Sequence, residues 1–306
     1  MKSLFTFAFV VFSFYLSACD ICNFYAGSSP NDFRNTFGII YRSRFLHGTI
    51  YPDGTVRLKH SSNIGTNDTI TGKEIFNVAE LRFRYFVGQR WNFIASLPLV
   101  NNYQSENGYT VTDIYGMGDP TLLANYLVAG TKKEEGYNHR LTFGLGVKLP
   151  AGMKHRSYNG KEAELDFQPS TGSWDALMRL EYLLIAKNFV LNNSFSFRLN
   201  SEGTNQHRYG NTLNYTLNAA YLHKFNLKST LAPNLGCVME SAGFDKVDGV
   251  KKEDSGGRVW FLHAGLDWYK GRTALQFAFE PTTANQFNGA QFPVKNRFIV
   301  GLVVNL

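Results

Sequence analysis

Leu141-Thr142-Phe143-Gly144-Leu145-Gly146-Val147-Lys148-Leu149 decides the fold. Its odd positions carry Leu, Phe, Leu, Val and Leu, and its even positions carry Thr, Gly, Gly and Lys. Side chains alternate between the two faces of a β-strand, so this stretch has one apolar face and one polar or bare face. The same event recurs along the chain, each alternating stretch ending in a break rich in Gly, Asn, Lys or Asp. Twelve segments emerge: Asn35–Leu46, Glu74–Val87, Trp91–Asn101, Asp119–Val128, Arg140–Leu149 and Ser173–Ile185, then Phe189–Asn200, Asn211–Phe225, Thr230–Glu240, Arg258–Trp268, Thr273–Pro281 and Phe292–Leu306.

The breaks alternate in length. Long ones follow the odd-numbered segments, and short ones follow the second, sixth, eighth and tenth, at Gly88–Arg90, Lys187–Asn188, Asn226–Ser229 and Tyr269–Arg272. The turn at Ala129–His139 is longer than its class. An even number of strands with short turns at one end and long loops at the other is the requirement of an outer-membrane barrel. Each segment is also long enough, since about 9–11 tilted residues cross the hydrocarbon layer. The expectation is therefore an all-β, antiparallel, up-and-down membrane barrel of about twelve strands spanning residues 35–306.

Composition agrees. The 306 residues include 26 Phe, 16 Tyr and 28 Gly, with only 18% charged residues. Aromatic and β-branched side chains suit a pleated surface, and glycine tolerates bends and close approach. Trp91, Trp174, Trp268, Tyr126, Tyr182 and Tyr221 fall near segment ends, where interfacial rings are expected. A soluble sandwich would show the same alternation with its apolar face as core. Export, even strand number and aromatic strand ends separate the two readings.

Residues 1–18 read as a secretory signal, with Lys2 ahead of an apolar run from Leu4 to Leu16. That run is shorter than the roughly 20 residues of a spanning helix. Residues 19–34 are then a periplasmic N-terminal segment. The net charge of +7 is spread along the chain rather than clustered, so a nucleic-acid partner is not expected. The expected partners are outer-membrane lipid, small-molecule solutes and the outer-membrane assembly machinery.

Cys19 and Cys22 form a Cys-x-x-Cys pair at the expected start of the mature chain. Four chemistries compete for it: lipidation at Cys19, because Leu16-Ser17-Ala18-Cys19 resembles a lipobox; a disulfide in an oxidising compartment; a soft metal such as copper or zinc; and redox activity, which lacks its usual βαβ surroundings. Haem attachment is excluded because residue 23 is Asn rather than His. Outside this pair no cofactor is expected. Cys237 alternates with Leu235 and Met239 and reads as a small apolar residue. Neither a Gly-x-Ser-x-Gly elbow nor a His-Glu-x-x-His pair occurs, so the expectation is not an enzyme.

Alternation assigns a charged inner face. Arg42, Arg44, Arg82, Arg84, Arg140, Lys148, Arg179, Arg198, Lys224 and Arg297 are expected there, with Glu80, Asp175, Glu181, Glu240, Asp267 and Glu280. Cross-strand pairing would brace the barrel, and the basic surplus would favour anions as charged rings do in pores.

Three stretches resemble one family of outer-membrane barrels, named for transport in the phenol meta-degradation pathway and distantly akin to hydrophobic-compound channels. They are Met117-Gly118-Asp119-Pro120, the LTFGLGVKLPAG run at 141–152, and QPSTGSWD at 168–175, where Ser170 stands for the family's first Gly. The resemblance implies a passive channel for small, hydrophobic or aromatic molecules, with Gly118, Asp119, Pro150, Gly152, Gly172 and Ser173 serving strand ends and turns. Cys-Asp-Ile-Cys at 19–22 also resembles exported Bacteroidetes barrels that begin Cys-Asp-x-Cys. The alternative to a channel is a structural or metal-binding outer-membrane protein that holds copper or zinc at Cys19 and Cys22, with the barrel as anchor. The alternating Phe298–Leu306 run resembles the C-terminal assembly signal of outer-membrane proteins, with Leu306 where that signal ends on an aromatic residue. Whether a long loop, 48–73 or 151–172, folds inward to plug the lumen stays open at this level.

Overall fold

The computed structural model describes residues 34–51, 56–57, 69–131, 136–226 and 228–306. Among these, twelve long antiparallel strands close into a barrel. They are β1 (Thr36–Ile50), β2 (Ile70–Val87), β3 (Trp91–Glu106), β4 (Thr121–Gly130), β5 (Tyr137–Lys148), β6 (Asp175–Ala186), β7 (Phe189–Leu199), β8 (Thr212–Tyr221), β9 (Ser229–Ala242), β10 (Gly257–Lys270), β11 (Thr273–Phe287) and β12 (Val294–Asn305). Each pairs with its chain neighbours, and β1 pairs with β12 from Thr36–Asn305 onward. No sheet edge remains between first and last strand, which is what a lipid-embedded sheet requires.

The alternating faces fall as the sequence dictates. Phe83, Tyr85 and Val87 of β2 point outward, while Glu80 and Arg82 are buried inward. Ile39, Phe93, Leu122, Leu145, Leu180, Phe195, Leu235, Phe277 and Leu302 extend the outer apolar surface around the wall. So much contiguous apolar surface would be untenable in water; against hydrocarbon it is the lipid-facing belt of an outer-membrane barrel. Replacing Phe195, near the middle of β7 and packed on Tyr215 with ring centroids 4.6 Å apart, is expected to test this directly. Phe195→Arg should lower stability by about 2–4 kcal/mol, the cost of a cation at the midplane of such a wall. Denaturant unfolding in lipid vesicles measures it; an unchanged midpoint would place this face in water.

At the short-turn end, Trp91 packs on Tyr126 at 4.8 Å and Phe189 on Tyr221 at 5.0 Å. Trp268 donates its indole N–H to Ser229 Oγ at 3.1 Å. Trp174 is exposed at the opposite end. These rings sit where an interfacial girdle is expected, and in barrels of this fold short turns lie on the periplasmic side.

Three local expectations change. Residues 102–118 are not a loop: Tyr109–Met117 folds back on β3, pairing Glu106 with Tyr109 through Leu99 with Met117. Asn107 and Gly108 both have positive φ, the two-residue turn that matches strand twist. The long turn at 129–139 shortens because β4 runs to Gly130 and β5 starts at Tyr137, with a register shift between Leu127 and Ala129. Lys224 does not face the lumen. β8 stops at Tyr221, and Lys224 is exposed in a short piece, His223–Asn226, at the periplasmic rim.

Between Tyr109–Met117 and β4 the wall breaks at Gly118-Asp119-Pro120, opposite Pro98 of β3. Proline has no N–H to give the ladder and is at home at such a bulge. β5 ends at Lys148 and β6 begins at Asp175. The connection between them, 149–174, is the feature that shapes the site.

Candidate functional site

Arg44, Phe76, Asn102 and Ile114 sit opposite one another on successive strands, so all share the inward face. Against them lies the 149–174 connection. Phe167, 4% exposed, stacks on Phe76 with centroids 5.5 Å apart and contacts Ile114 and Ala163. Asn102 Nδ2 donates to the Phe167 carbonyl at 3.0 Å, and Tyr209 donates its hydroxyl to the Leu165 carbonyl at 2.8 Å. This connection therefore folds into the lumen. Its shape is kept by Gln168, which accepts from the Arg156 N–H and donates to the carbonyls of Arg156 and Ala163. The other long candidate, 48–73, lies mostly outside the described residues.

The base of the inward loop is tied by charge. Lys148 Nζ, fully enclosed, meets Asp175 Oδ2 at 2.6 Å and Asp119 Oδ2 at 3.2 Å. It also donates to Thr171 Oγ1, and to Ser173 Oγ at 3.2 Å. Asp119 accepts from the N–H groups of Gly152 and Thr171 and from the hydroxyls of Ser170 and Thr171. Asp175 accepts from the Ser173 hydroxyl and the Ser201 N–H. Gly152 must lack a side chain: a Cβ there would stand 2.7 Å from Ser170 Cβ and from the Gly118 carbonyl carbon. The three motif stretches at 117–120, 141–152 and 168–175 thus meet in one latch, something more than the strand ends and turns expected of them.

A second network crosses the lumen. Glu240 of β9 pairs with Arg44 of β1 and Arg297 of β12; Arg297 also pairs with Glu280 of β11. Glu280 Oε1 lies 2.6 Å from His263 Nδ1, and His263 Nε2 lies 2.8 Å from Asn234 Oδ1. The Arg297 and Arg44 guanidinium carbons stand 4.5 and 5.8 Å from the centre of the Phe261 ring. Three strands separate β1 from β9, so the Arg44–Glu240 pair spans a chord of the barrel rather than adjacent wall.

The remaining expected site residues distribute around these two networks. Arg42, Arg44, Glu80, Arg179 and Arg198 border a lumenal cavity of about 430 Å³, together with Leu46, Ile50, Phe76, Phe167, Phe292 and other residues. Arg82 pairs with Glu80 at 2.7 Å, and Arg179 with Glu181. Arg84 and Arg140 lie toward the periplasmic end, in register with Thr36 and with Gly130 and Leu183 respectively. Asp267, also toward that end, accepts from the Tyr269 hydroxyl at 3.2 Å. Lys148 does not border the cavity; it serves the latch. Cys237 pairs in register with Leu217 and Leu262 on the outer face. Cys19 and Cys22, with the signal and the 19–34 segment, lie outside the described residues.

Sequence reasoning placed Lys148 and Asp175 on the inner face without joining them, and gave Asp119 a turn role. It also missed Phe167, whose only signal is an aromatic residue inside a polar loop.

No family model matches the chain, and no curated protein sequence matches it. Solved structures do. An outer-membrane channel from Pseudomonas putida F1 superposes with a TM-score of 0.63 at 15% identity, covering 93% of this chain and 100% of that one. The β domain of the Bordetella autotransporter BrkA gives 0.48 at 12% identity, over 90% and 100%. The P. putida toluene transporter TodX gives 0.41 at 10%, over 89% and 90%; these last two are too distant to carry an argument. The first likeness agrees with the architecture: this chain is a closed, twelve-stranded antiparallel barrel with the fold of outer-membrane channels.

Proposed function

We propose that the protein is a passive outer-membrane channel for small hydrophobic or aromatic molecules. The observation that carries this reading is the lumenal cavity of about 430 Å³, lined by Phe76, Phe167 and Phe292 together with arginines and carboxylates. A space of that size, with aromatic and aliphatic side chains set among many fixed charged groups, can hold a small organic solute against its apolar lining while the polar groups orient it. Arg42, Arg44, Glu80, Arg82, Arg84, Arg140, Arg179, Glu181, Arg198, Asp267 and Glu280 then line or flank the passage, and aromatic cargo accords with the phenol-pathway resemblance of the three motif stretches. The channel reading leaves the barrel without catalytic work. In the same reading the mature chain starts at Cys19, 19–34 is periplasmic, and the barrel is inserted by the outer-membrane assembly machinery.

Phe167 is the residue to change. Phe167→Ala removes a ring that stacks on Phe76 and fills the lumen, and truncating a buried Phe costs about 3–5 kcal/mol of local packing. Uptake of a small phenol into vesicles holding the purified protein is expected to rise several-fold over wild type. Wild-type vesicles should already exceed protein-free ones. A barrel that passes neither ions in planar bilayers nor phenol in vesicles, wild type or variant, would end this reading.

A further inference from the structure

Three external connections meet above the lumen. Asp166 belongs to the inward loop, His207 to the connection after β7, and Asp245 to the connection after β9. Their imidazole and carboxylate ligand atoms lie within 4.8 Å of one another. His207 is only 3% exposed, and its Nε2 has no hydrogen-bond partner; Asp245 Oδ2 stands 3.4 Å away without forming one. Buried polar atoms are nearly always paired, and an orphan of this kind calls for an explanation.

The surroundings aim these groups at one another. Asp245 uses its Oδ1 to accept the Gly210 N–H at 2.8 Å, which leaves Oδ2 facing His207. The His207 ring stacks on Tyr209 at 4.3 Å and 19°. The Tyr209 hydroxyl holds the Leu165 carbonyl, one residue before Asp166. Outer contacts that fix the orientation of a histidine and a carboxylate are the usual support of a metal site. Lys252 Nζ meets Asp166 Oδ2 at 3.2 Å. A single lysine thus stands against this acidic corner.

We propose that Asp166, His207 and Asp245 bind one divalent transition-metal ion of the zinc class, with water completing its shell, and that the ion staples the inward loop to the rim of the barrel. An imidazole nitrogen beside two carboxylates suits zinc or its neighbours, whereas calcium and magnesium take oxygen ligands. Three protein ligands with one open position is a common zinc arrangement. Zinc bonds of about 2.0–2.2 Å put tetrahedral ligand atoms roughly 3.3 Å apart. His207 and Asp245 already have that spacing, and Asp166, exposed, closes the remainder by rotating away from Lys252. Asp166 and Asp245 also border the lumenal cavity, but zinc binding is read without any solute, so its failure would leave the channel reading standing.

The test is zinc titration of the full mature protein, folded in detergent, against a competing zinc dye. Wild type is expected to bind one equivalent that is lost in His207→Gln and at least tenfold weaker in Asp166→Asn. Lys252→Met, which removes the competitor, should bind several-fold more tightly. Calcium should not displace the ion. Zinc held at Cys19 and Cys22 would survive all three substitutions and is thereby told apart. Asp166 is exposed, so its variant reports on the site even where His207→Gln disturbs folding. Zinc should also slow tryptic cleavage within 154–161 in wild type and leave Asp166→Asn unprotected. Equal zinc stoichiometry and affinity in wild type and Asp166→Asn would overturn the site; binding without protection would overturn the staple.

Discussion

Lys148→Met is expected to free the inward loop while leaving the barrel closed. Its ammonium is the positive charge between Asp119 and Asp175, and removing one partner of a buried ion pair costs about 3–5 kcal/mol because the remaining charge is stranded. Here two carboxylates would be stranded, served only by hydroxyls and backbone N–H groups. The cost falls on the loop rather than on the wall. Residues 149–174 begin directly after Lys148 and end directly before Asp175, whereas β4, β5 and β6 are held by long antiparallel ladders. A loss of that size shifts the docked and undocked populations by about a hundredfold or more, at tenfold per 1.4 kcal/mol. Trypsin should therefore cut at Lys154, Arg156 or Lys161 at least tens of times faster in the variant. Single-channel conductance should rise in parallel, since Phe167 leaves the lumen with its loop. The heat-modifiable mobility of the folded barrel should persist. A variant with wild-type proteolysis and conductance would show that Lys148 does not hold the loop.

That latch also shows how far the sequence reaches. The period-two alternation along Leu141–Leu149 or Leu81–Val87 is a local property, and it identified both faces and the closed barrel because lipid demands the same choice at every second residue. Asn107-Gly108 is a readable turn, but the length a membrane requires does not say where pairing stops, so the Tyr109–Met117 hairpin partner lies beyond that criterion. Lys224 went astray for the converse reason: alternation continued past Tyr221, but the ladder with β7 did not. Contacts across the lumen obey no local period. Arg44 and Glu240 lie far apart in the chain and meet only because closure and stagger bring β1 and β9 face to face. The meeting of Asp119, Lys148 and Asp175 had a faint local signal, charges at the ends of otherwise apolar or small-residue stretches. Asp166, His207 and Asp245 had none, since three separate loops supply them with no fixed spacing.

Arg297→Met is expected to destabilise the whole barrel rather than one loop. Arg297 is 1% exposed and lies between Glu240 and Glu280, so its loss leaves two carboxylates sharing Arg44 and His263. By the same stranding argument the cost is about 3–5 kcal/mol, now borne by β9, β11, β12 and β1 together, including the pair that closes the barrel. The midpoint of denaturant or thermal unfolding in detergent should fall accordingly. A second substitution separates stranded charge from lost packing. Arg297→Met with Glu280→Gln should recover part of the loss, since neighbours in one network commonly couple by about 0.5–3 kcal/mol. Additive losses would mean that Arg297 acts through its packing over Phe261 alone. The same pair of variants decides what the network does for passage. If Arg44, Glu240 and Arg297 only brace opposite walls, conductance through the double variant stays at the wild-type level while stability drops. If the chord they draw narrows the route for solutes, conductance rises even where stability is restored. The geometry favours bracing, because each carboxylate is already engaged by two side chains, Glu240 by Arg44 and Arg297 and Glu280 by Arg297 and His263, and offers little to a passing ion.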